Sequence, residues 1–408
     1  MNRCSAAAPR GSLLLALASL AATTGASGQT QAQDLLVRCQ TIVIAPDTVL
    51  QGSALLVRQG KVAYVGDEIP AEAKTGAKLV DYGAAVLVPG FVLPPTTLGR
   101  ERDLAEGALP FTPDLRAVEA FDPWQEELLR LPQHGVTSLL LAPSPRNLAG
   151  GLGALVKPGN EAAGGRVVTP ELHLALSLAQ VSRNPEREPT SLMGAIDALR
   201  TALQKAKSGL ATGPDAMILR GVLDGSRKAT IAADTYPELL GALDLAREFG
   251  FQPVLLGATE AHKLMPRLLE QKATVVLQPL RFDQPERQLQ LPRLLAEAGV
   301  PFCFGGSAES LRLSAVLAVK HGLDRKTALT ALTRTPAQTF DQTTQVGALR
   351  QGCGADFVVF GGDPLDLGSP HLATWIDGAC VHGTMPTVGE RPSSATKSQK
   401  AAPAAGVR

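Results

Sequence analysis

The sequence is poor in histidine, cysteine and aromatic residues. Six of its 408 residues are histidine, five are cysteine, and aromatic side chains make up 4%. Lys and Arg number 39 against 38 Asp and Glu, so the chain lacks the charge excess of a nucleic-acid binder or of a highly charged disordered protein. Because 45% of the residues are hydrophobic, the chain can still bury one large core or two ordinary ones.

The amino terminus has the pattern of an export signal. Arg3 and Arg10 accompany an apolar run over 12–22, and small residues follow at 26–28. This run is too short for a membrane span, which needs about 20 apolar residues, and no other segment is long and apolar enough. We therefore predict a signal peptide over 1–28 and a protein that is periplasmic or secreted; a buried core helix is the alternative.

The cysteines indicate neither a zinc knot nor a redox motif. Cys39, Cys303, Cys353 and Cys380 follow the predicted signal, and none of them stands in C-x-x-C spacing. An exported location permits disulfides, but four thiols in a chain of this length do not make a disulfide scaffold. Buried free thiols are therefore favoured, and disulfide pairing stays open.

Hydrophobic patterning divides the rest of the chain into three folded segments and a tail. Short apolar runs separated by turn residues predict strands over 35–89 and again over 345–383. Over 90–344, continuous apolar runs alternate with helical periods, which is typical of a parallel sheet with both faces covered and suits a (β/α)8 barrel. We predict an α/β protein in which the two flanking segments form one small β-sandwich beside this barrel. The segment 384–408 is rich in Ser, Ala, Pro and Lys and is predicted to be disordered.

Motifs in both flanking segments resemble the amidohydrolase superfamily. Residues 58–66 (R-Q-G-K-V-A-Y-V-G) are similar to a hairpin of that family, and 88–92 (V-P-G-F-V) to the start of its first barrel strand. Residues 335–337, 346–359, 363–365 and 377–378 complete the set, while 135–137, 150–157 and 238–260 resemble the imidazolonepropionase-related branch. This resemblance covers 35–383 and implies a metal-dependent hydrolase of non-peptide C–N bonds, built as a TIM-like barrel plus a sandwich.

The resemblance also implies a metal site, and most of its ligands are missing from this sequence. In the family, an H-x-H after the first strand, later histidines and an Asp after the eighth strand hold zinc or another divalent metal, which activates water near neutral pH. The matching positions here are Pro95, Thr97, Ala232, Asp234 and Ser307. Only Asp234 is a good ligand, whereas catalytic zinc takes three protein ligands. We therefore expect no metal and no other cofactor.

Three residues are weak candidates for a non-standard site: Lys157, Asp234 and His262. His262 lies in a helix predicted over 260–271, near the barrel mouth, although a surface or packing role is favoured. Lys157 is predicted to pair with Asp234 across the former metal pocket, because a buried charge needs a counter-charge; the alternative is two solvated side chains. The remaining histidines stand in no H-x-H or H-E-x-x-H pattern.

Two functions stay open. The first, which the loss of ligands favours, is a pseudoenzyme that binds a small molecule or an envelope protein as a binding or scaffold protein. The second is an active amidohydrolase that acts on a small cyclic amide or a dipeptide through a non-standard site. Neither interpretation predicts nucleic acid as a partner, and a homo-oligomer is expected only by analogy with the family.

Overall fold

The computed structural model describes residues 33–67, 69 and 74–386. The predicted signal peptide and the predicted tail beyond 386 lie outside the described residues. The described part is built from three sheets, whose strands in chain order are β1 (Leu35–Arg38), β2 (Thr41–Ala45), β3 (Thr48–Gln51), β4 (Ala54–Arg58), β5 (Lys61–Gly66), β6 (Lys78–Asp81), β7 (Val86–Pro89), β8 (Phe91–Thr96), β9 (Val136–Leu141), β10 (Ala149–Lys157), β11 (Arg166–Ser177), β12 (Lys228–Ala233), β13 (Pro253–Gly257), β14 (Thr274–Leu277), β15 (Phe302–Phe304), β16 (Phe357–Phe360), β17 (His371–Ile376) and β18 (Ala379–Gly383).

Helices occupy most of the connections between the later strands. They are α1 (Glu126–Arg130), α2 (Leu192–Ser208), α3 (Pro214–Leu223), α4 (Tyr236–Phe249), α5 (Met265–Glu270), α6 (Glu286–Glu297), α7 (Ala308–Lys320), α8 (Arg325–Leu332) and α9 (Arg334–Thr339). Short 3-10 turns lie at Ala117–Ala120, Leu131–His134, Gln180–Ser182 and Ala261–Lys263.

Two sheets bring the two flanking segments together. One has the strand order β5-β4-β1-β6, and the other has the order β18-β17-β16-β7-β2-β3. Strand β16 pairs antiparallel with β7, with Phe357 opposite Pro89. The shared core includes Trp375, which stacks on Phe357 with ring centroids 5.4 Å apart and donates a hydrogen bond to the hydroxyl of Tyr82 at 3.0 Å. The flanking segments therefore form one sandwich, as predicted.

Strands β8 to β15 form the barrel. They lie in one eight-stranded sheet in chain order, and the two edge strands, β8 and β15, come into contact. A buried apolar cluster fills the interior, and it includes Val92, Val254, Val276 and Phe340. Phe340 follows α9, which packs against both β8 and β15. The prediction of a TIM-like barrel beside a β-sandwich is confirmed.

One strand departs from the parallel sheet that the sequence predicts. Strand β10 pairs antiparallel with both of its neighbours, β9 and β11. The connection from β10 to β11 spans only 158–165 and contains no helix, so it is too short for the crossover that parallel pairing requires. The prediction of a wholly parallel (β/α)8 sheet is therefore wrong at this strand.

Local sequence signals set the ends of the helices around the barrel mouth. Helix α4 begins with a capping box between Thr235 and Glu238, and it ends at Gly250, whose φ of 85° favours glycine. The single helix predicted over 260–271 is instead a 3-10 turn followed by α5, because Pro266 has no backbone N–H to continue the turn and suits the start of a new helix.

A buried cluster of charges joins the barrel to the sandwich. Lys157 is the last residue of β10, and its Nζ lies 2.7 Å from Asp356 Oδ2 and 2.7 Å from Asp377 Oδ1. The side chains of Lys157 and Asp356 are only 3% and 4% exposed, whereas Arg166 approaches from the surface and pairs with Asp377. A Cβ at Gly354 would lie 2.6 Å from the Lys157 ammonium, so glycine gives this lysine its space.

The predicted pair between Lys157 and Asp234 is wrong. Strand β10 runs antiparallel to its neighbours, so it delivers Lys157 to the end of the barrel at which β11 begins, beside Arg166. Asp234 follows the carboxyl end of β12, at the opposite end of the barrel. The counter-charge that a buried lysine requires comes from the sandwich instead.

Replacing Lys157 with methionine tests this cluster. Lys157→Met leaves Asp356 buried without its cation, so we expect the free energy of unfolding to fall by about 3–5 kcal/mol. Lys228→Met is the matched control, because Lys228 pairs with Asp341 at the surface, and its loss is expected to cost less than about 1 kcal/mol. Urea denaturation measures both, and equal losses in the two variants would contradict a structural role of the buried pair.

Candidate functional site

A cavity of about 670 Å3 opens at the carboxyl ends of the barrel strands. This is the end at which barrel proteins carry their active sites. All five positions that match the family's metal ligands line it: Pro95, Thr97, Ala232, Asp234 and Ser307. The cavity therefore lies where the resemblance places the metal site of the family.

The side chains at four of these positions offer little to a metal ion. Pro95 lies near the end of β8 and has no donor atom, and Ala232 lies in β12 with only a methyl group. The hydroxyl of Thr97 donates a hydrogen bond to Glu101 at 2.8 Å. Ser307 stands just before α7 and hydrogen-bonds the carboxylate of Glu309, which lowers the pKa of that carboxylate.

Asp234 is the exception, and its environment is unusual. Burial raises the pKa of its carboxyl group, the amide of Gln278 opposes this rise, and the charge of Glu238 adds to it. The Oδ1 atom is buried and has no hydrogen-bond partner among the described residues. A Cβ at Gly257 would lie 2.3 Å from this oxygen, so glycine with its φ of 95° leaves the carboxylate its place.

The other two sequence candidates do not line this cavity. Lys157 lies at the far end of the barrel, in the charge cluster described above. His262 lies in the 3-10 turn after β13 and is absent from the cavity lining. Its Nε2 is buried without a hydrogen-bond partner among the described residues, and burial lowers its pKa, which fits a packing role. Of the three candidates, Asp234 alone faces the cavity.

Sequence reasoning missed several polar residues that line the cavity, among them three glutamates and one glutamine. Glu101, Glu127 and Glu309 contribute carboxylates, and Gln278 contributes an amide. Gln278 directly follows strand β14, and Glu309 stands in the first turn of the helix after β15, so position alone could have indicated both. Glu101 and Glu127 come from the long connection after β8, where no periodic pattern marks a residue as part of a site.

Sequence reasoning also missed a buried histidine in the barrel interior. His173 on β11 is 0% exposed, and neither ring nitrogen has a hydrogen-bond partner among the described residues. Its ring lies 5.1 Å from that of Phe340, and it occupies the space that Gly153 leaves on β10. Burial, with a smaller effect from Arg227, lowers the pKa of His173 to about 3. This histidine is therefore neutral at physiological pH.

The cysteines of the described residues are free thiols. Cys39, Cys303 and Cys353 are buried and Cys380 is half-buried. Burial raises the pKa of Cys303, in the last barrel strand, to about 12, so this thiol is not the thiolate that a catalytic cysteine requires.

The residues present do not fit a catalytic metal. Among the described residues, no three His, Cys, Asp or Glu side chains converge in a way that could hold an ion. The five family positions supply one carboxylate, where a catalytic zinc site takes three protein ligands and keeps one open position. The arrangement can bind a ligand in a largely apolar cavity and present one half-buried carboxylate to it.

Comparisons with known proteins point to one family. An amidohydrolase family profile matches residues 300–382, which include β15 and the carboxyl-terminal strands of the sandwich. The amidohydrolase tasK of Hapsidospora irregularis is 25% identical over 389 residues. That alignment covers 79% of this chain but 39% of the fungal protein, so this chain spans about two fifths of the length of that relative.

Solved structures extend the likeness to nearly the whole described chain. An amidohydrolase from Thermotoga maritima superposes with a TM-score of 0.76 at 26% identity, covering 86% of this chain and 100% of that one. Ochratoxinase from A. niger shares the fold, with a TM-score of 0.54 at 16% identity over 87% of this chain and 96% of that one.

No helix among the described residues has the length and apolarity to span a membrane.

Replacing the carboxylate of Asp234, which has no counter-charge among the described residues, is expected to stabilise the protein. Because burial raises the pKa of Asp234, its ionised form is less stable in the folded chain than in the unfolded one. Asp234→Asn should therefore raise the free energy of unfolding at neutral pH by about 1 kcal/mol, the size of stabilising changes at functional sites. The gain should shrink as the pH falls and the wild-type carboxyl becomes protonated. Urea titrations at several pH values measure it, and a less stable variant at neutral pH would contradict the unpaired state.

The buried histidine predicts a loss of stability in acid. The pKa of His173 lies below that of the unfolded chain, so the unfolded chain binds the proton more tightly, and stability falls as the pH drops below about 6.5. At pH 5 the loss that His173 causes should be about 2 kcal/mol relative to pH 7. The variant His173→Leu has an apolar side chain of similar volume. Between pH 7 and pH 5 its free energy of unfolding should fall by about 2 kcal/mol less than that of the wild type. Equal pH dependence in the two proteins would show that His173 is not neutral and buried.

Proposed function

We propose that this chain is an exported binding protein without metal-dependent hydrolysis. The chain belongs to the amidohydrolase superfamily, yet only one of its five metal-ligand positions carries a carboxylate. Its ligand is a small molecule that enters the cavity at the barrel mouth. One observation carries the proposal: the five positions surround a common cavity, and four of them offer a proline ring, a methyl group or a hydroxyl.

The apolar character of the cavity supports a binding role. Leu93, Leu176 and Leu256 line it, and small-molecule sites are typically concave, apolar and supplied with a few polar groups. Export rests on the amino-terminal sequence pattern and is part of the same proposal. A scaffold role toward an envelope protein is the other form that this function could take.

A second function is favoured by the state of Asp234. A carboxyl group whose pKa is raised by burial in a cavity is suited to general acid–base catalysis, because the rise brings its pKa closer to the pH at which an enzyme works. Asp234 would accept a proton from water as the water attacks a small cyclic amide or a dipeptide, and would return it to the leaving nitrogen. Nothing else in the described cavity lining offers a comparably buried titratable group.

Metal content separates the binding protein from a metal-dependent hydrolase. We expect the purified mature protein, supplied with zinc, manganese and iron, to retain well below about one ion per chain, since three ligands are needed for a catalytic zinc. Elemental mass spectrometry measures this. Hydrolysis of a panel of cyclic amides and dipeptides, with and without a chelator, is read in parallel. Stoichiometric metal would overturn the proposal, and hydrolysis that the chelator leaves unchanged and Asp234→Asn abolishes would favour the second function.

Restoring the ligands tests the assignment of the five positions. A variant carrying Pro95→His, Thr97→His, Ala232→His, Asp234→His and Ser307→Asp should take up about one metal ion per chain. Met193→His with Leu210→His is the control, because these side chains are 81% and 82% exposed and lie outside the cavity lining. Equal uptake by both variants would show that added histidines bind metal without a preformed site.

A further inference from the structure

The rim of the cavity is acidic. Glu101, Glu127 and Glu309 line it, and all three are exposed residues. Glu101 accepts a hydrogen bond from the hydroxyl of Thr97, and Glu127 accepts one from the amide of Gln125 at 3.1 Å, so both of these donors are neutral groups. The imidazole Nε2 of His134 lies 3.6 Å from the carboxylate of Glu309. Charges of one sign around a concave, low-dielectric opening concentrate ligands of the opposite sign.

Among the described residues, one cationic side chain lines the same cavity, and it already forms an ion pair. Arg130, at the end of α1, pairs with Glu126 one turn earlier on that helix, and Glu126 is not a lining residue. The lining therefore holds four carboxylates, counting Asp234, against one guanidinium. This imbalance makes the interior of the cavity unfavourable for an anionic ligand and favourable for a cationic one.

The carboxylate of Asp234 lies deeper than the three at the rim. It is half-buried at the carboxyl end of β12, and among the described residues no Lys, Arg or His acts on its charge. Its neighbours Gly257 and Gln278 supply space and one amide, but no positive charge. Even a half-buried carboxylate without a counter-charge loses part of its hydration, so a ligand that brings a positive charge gains binding free energy.

Apolar side chains form the walls between the rim and this carboxylate. Leu93, Leu131 and Leu176 are at most 4% exposed, and Leu98 is 8% exposed. Leu256 and the proline rings of Pro95 and Pro143 continue this surface around the cavity. The wall is therefore suited to a hydrocarbon or aromatic group, and it offers few donors to a sugar or another highly hydroxylated ligand.

We propose that the cavity binds an organic cation with an apolar body, whose ammonium group contacts the cavity-facing side of the Asp234 carboxylate. The acidic rim attracts the cation, the leucine walls hold the hydrocarbon, and the ammonium supplies the positive charge that a metal ion supplies elsewhere in the family. This inference rests on the proposed binding function, because a metal at Asp234 would occupy the same place.

Three probes of similar shape and different charge test the inference. Phenethylamine is cationic at neutral pH, phenethyl alcohol is neutral and phenylacetate is anionic. We expect titration calorimetry on the mature protein to find phenethylamine bound roughly tenfold more tightly than phenethyl alcohol, the gain of one charge-assisted hydrogen bond. Phenylacetate should bind most weakly. Equal affinities, a preference for phenylacetate, or no binding of any probe would overturn the inference.

Variants locate the contact within the cavity. Asp234→Asn should remove most of the preference for phenethylamine while it leaves the affinity for phenethyl alcohol nearly unchanged. Glu270→Gln is the matched control, because it removes one exposed carboxylate at the end of α5, outside the cavity lining, and it should preserve the preference. A preference that survives in Asp234→Asn would contradict the contact. Metal content and hydrolysis are measured separately, so a metal-loaded protein refutes the proposed function, whereas a metal-free protein without cation preference refutes this inference alone.

Discussion

A buried ammonium group ties the two parts of the fold together. Lys157 reaches out of the barrel hairpin, and the carboxylates that neutralise it, Asp356 and Asp377, stand at the ends of two sandwich strands. Neither part could keep these charges buried alone, because each would leave an unpaired ion in a low-dielectric setting. Gly354 and Asp356 belong to the motifs through which the sequence resembles its family. In this chain, residues of those motifs enclose and neutralise the buried lysine, which is a structural role.

The barrel mouth is built from a different set of residues, and this separation explains how the fold can persist while the ligands are absent. The strands are held by their hydrogen bonds and by the apolar interior, whereas the mouth is lined by residues at strand ends and in loops. Ala232 in β12 keeps the hydrogen bonds of its strand as a histidine would, and Pro95 lies where the pairing of β8 with β9 is already irregular. Chemistry can therefore be lost from this end of the barrel without loss of the barrel, and fold alone does not establish activity.

What remains at the mouth is a carboxylate whose energetics point to a ligand. Asp234 is buried enough for its pKa to rise, yet it lacks a cation among the described residues. Residues that are costly to the folded state and lie in a cavity are frequently functional, since their energy is recovered on binding. The acidic rim favours a ligand with a positive charge, and the leucine walls favour one with an apolar body. Both the binding interpretation and the acid–base alternative depend on the carboxylate of Asp234.

The sequence by itself determined the fold class and the lack of most of the family's metal-ligating side chains. Alternating and continuous apolar runs, with caps such as Thr235 and Gly250, are local signals that survive in the folded chain. No folding can give the side chain of Pro95 or Ala232 a ligand atom. Only the tertiary structure decided the direction of β10, because an apolar run has the same pattern in a parallel and an antiparallel strand. It also decided the partners of Lys157, of which Asp377 lies 220 residues further along the chain. The meeting of separate loops around Asp234 is likewise a result of the tertiary structure. Such charge pairings act through space, and the spacing of residues along the chain carries no record of them.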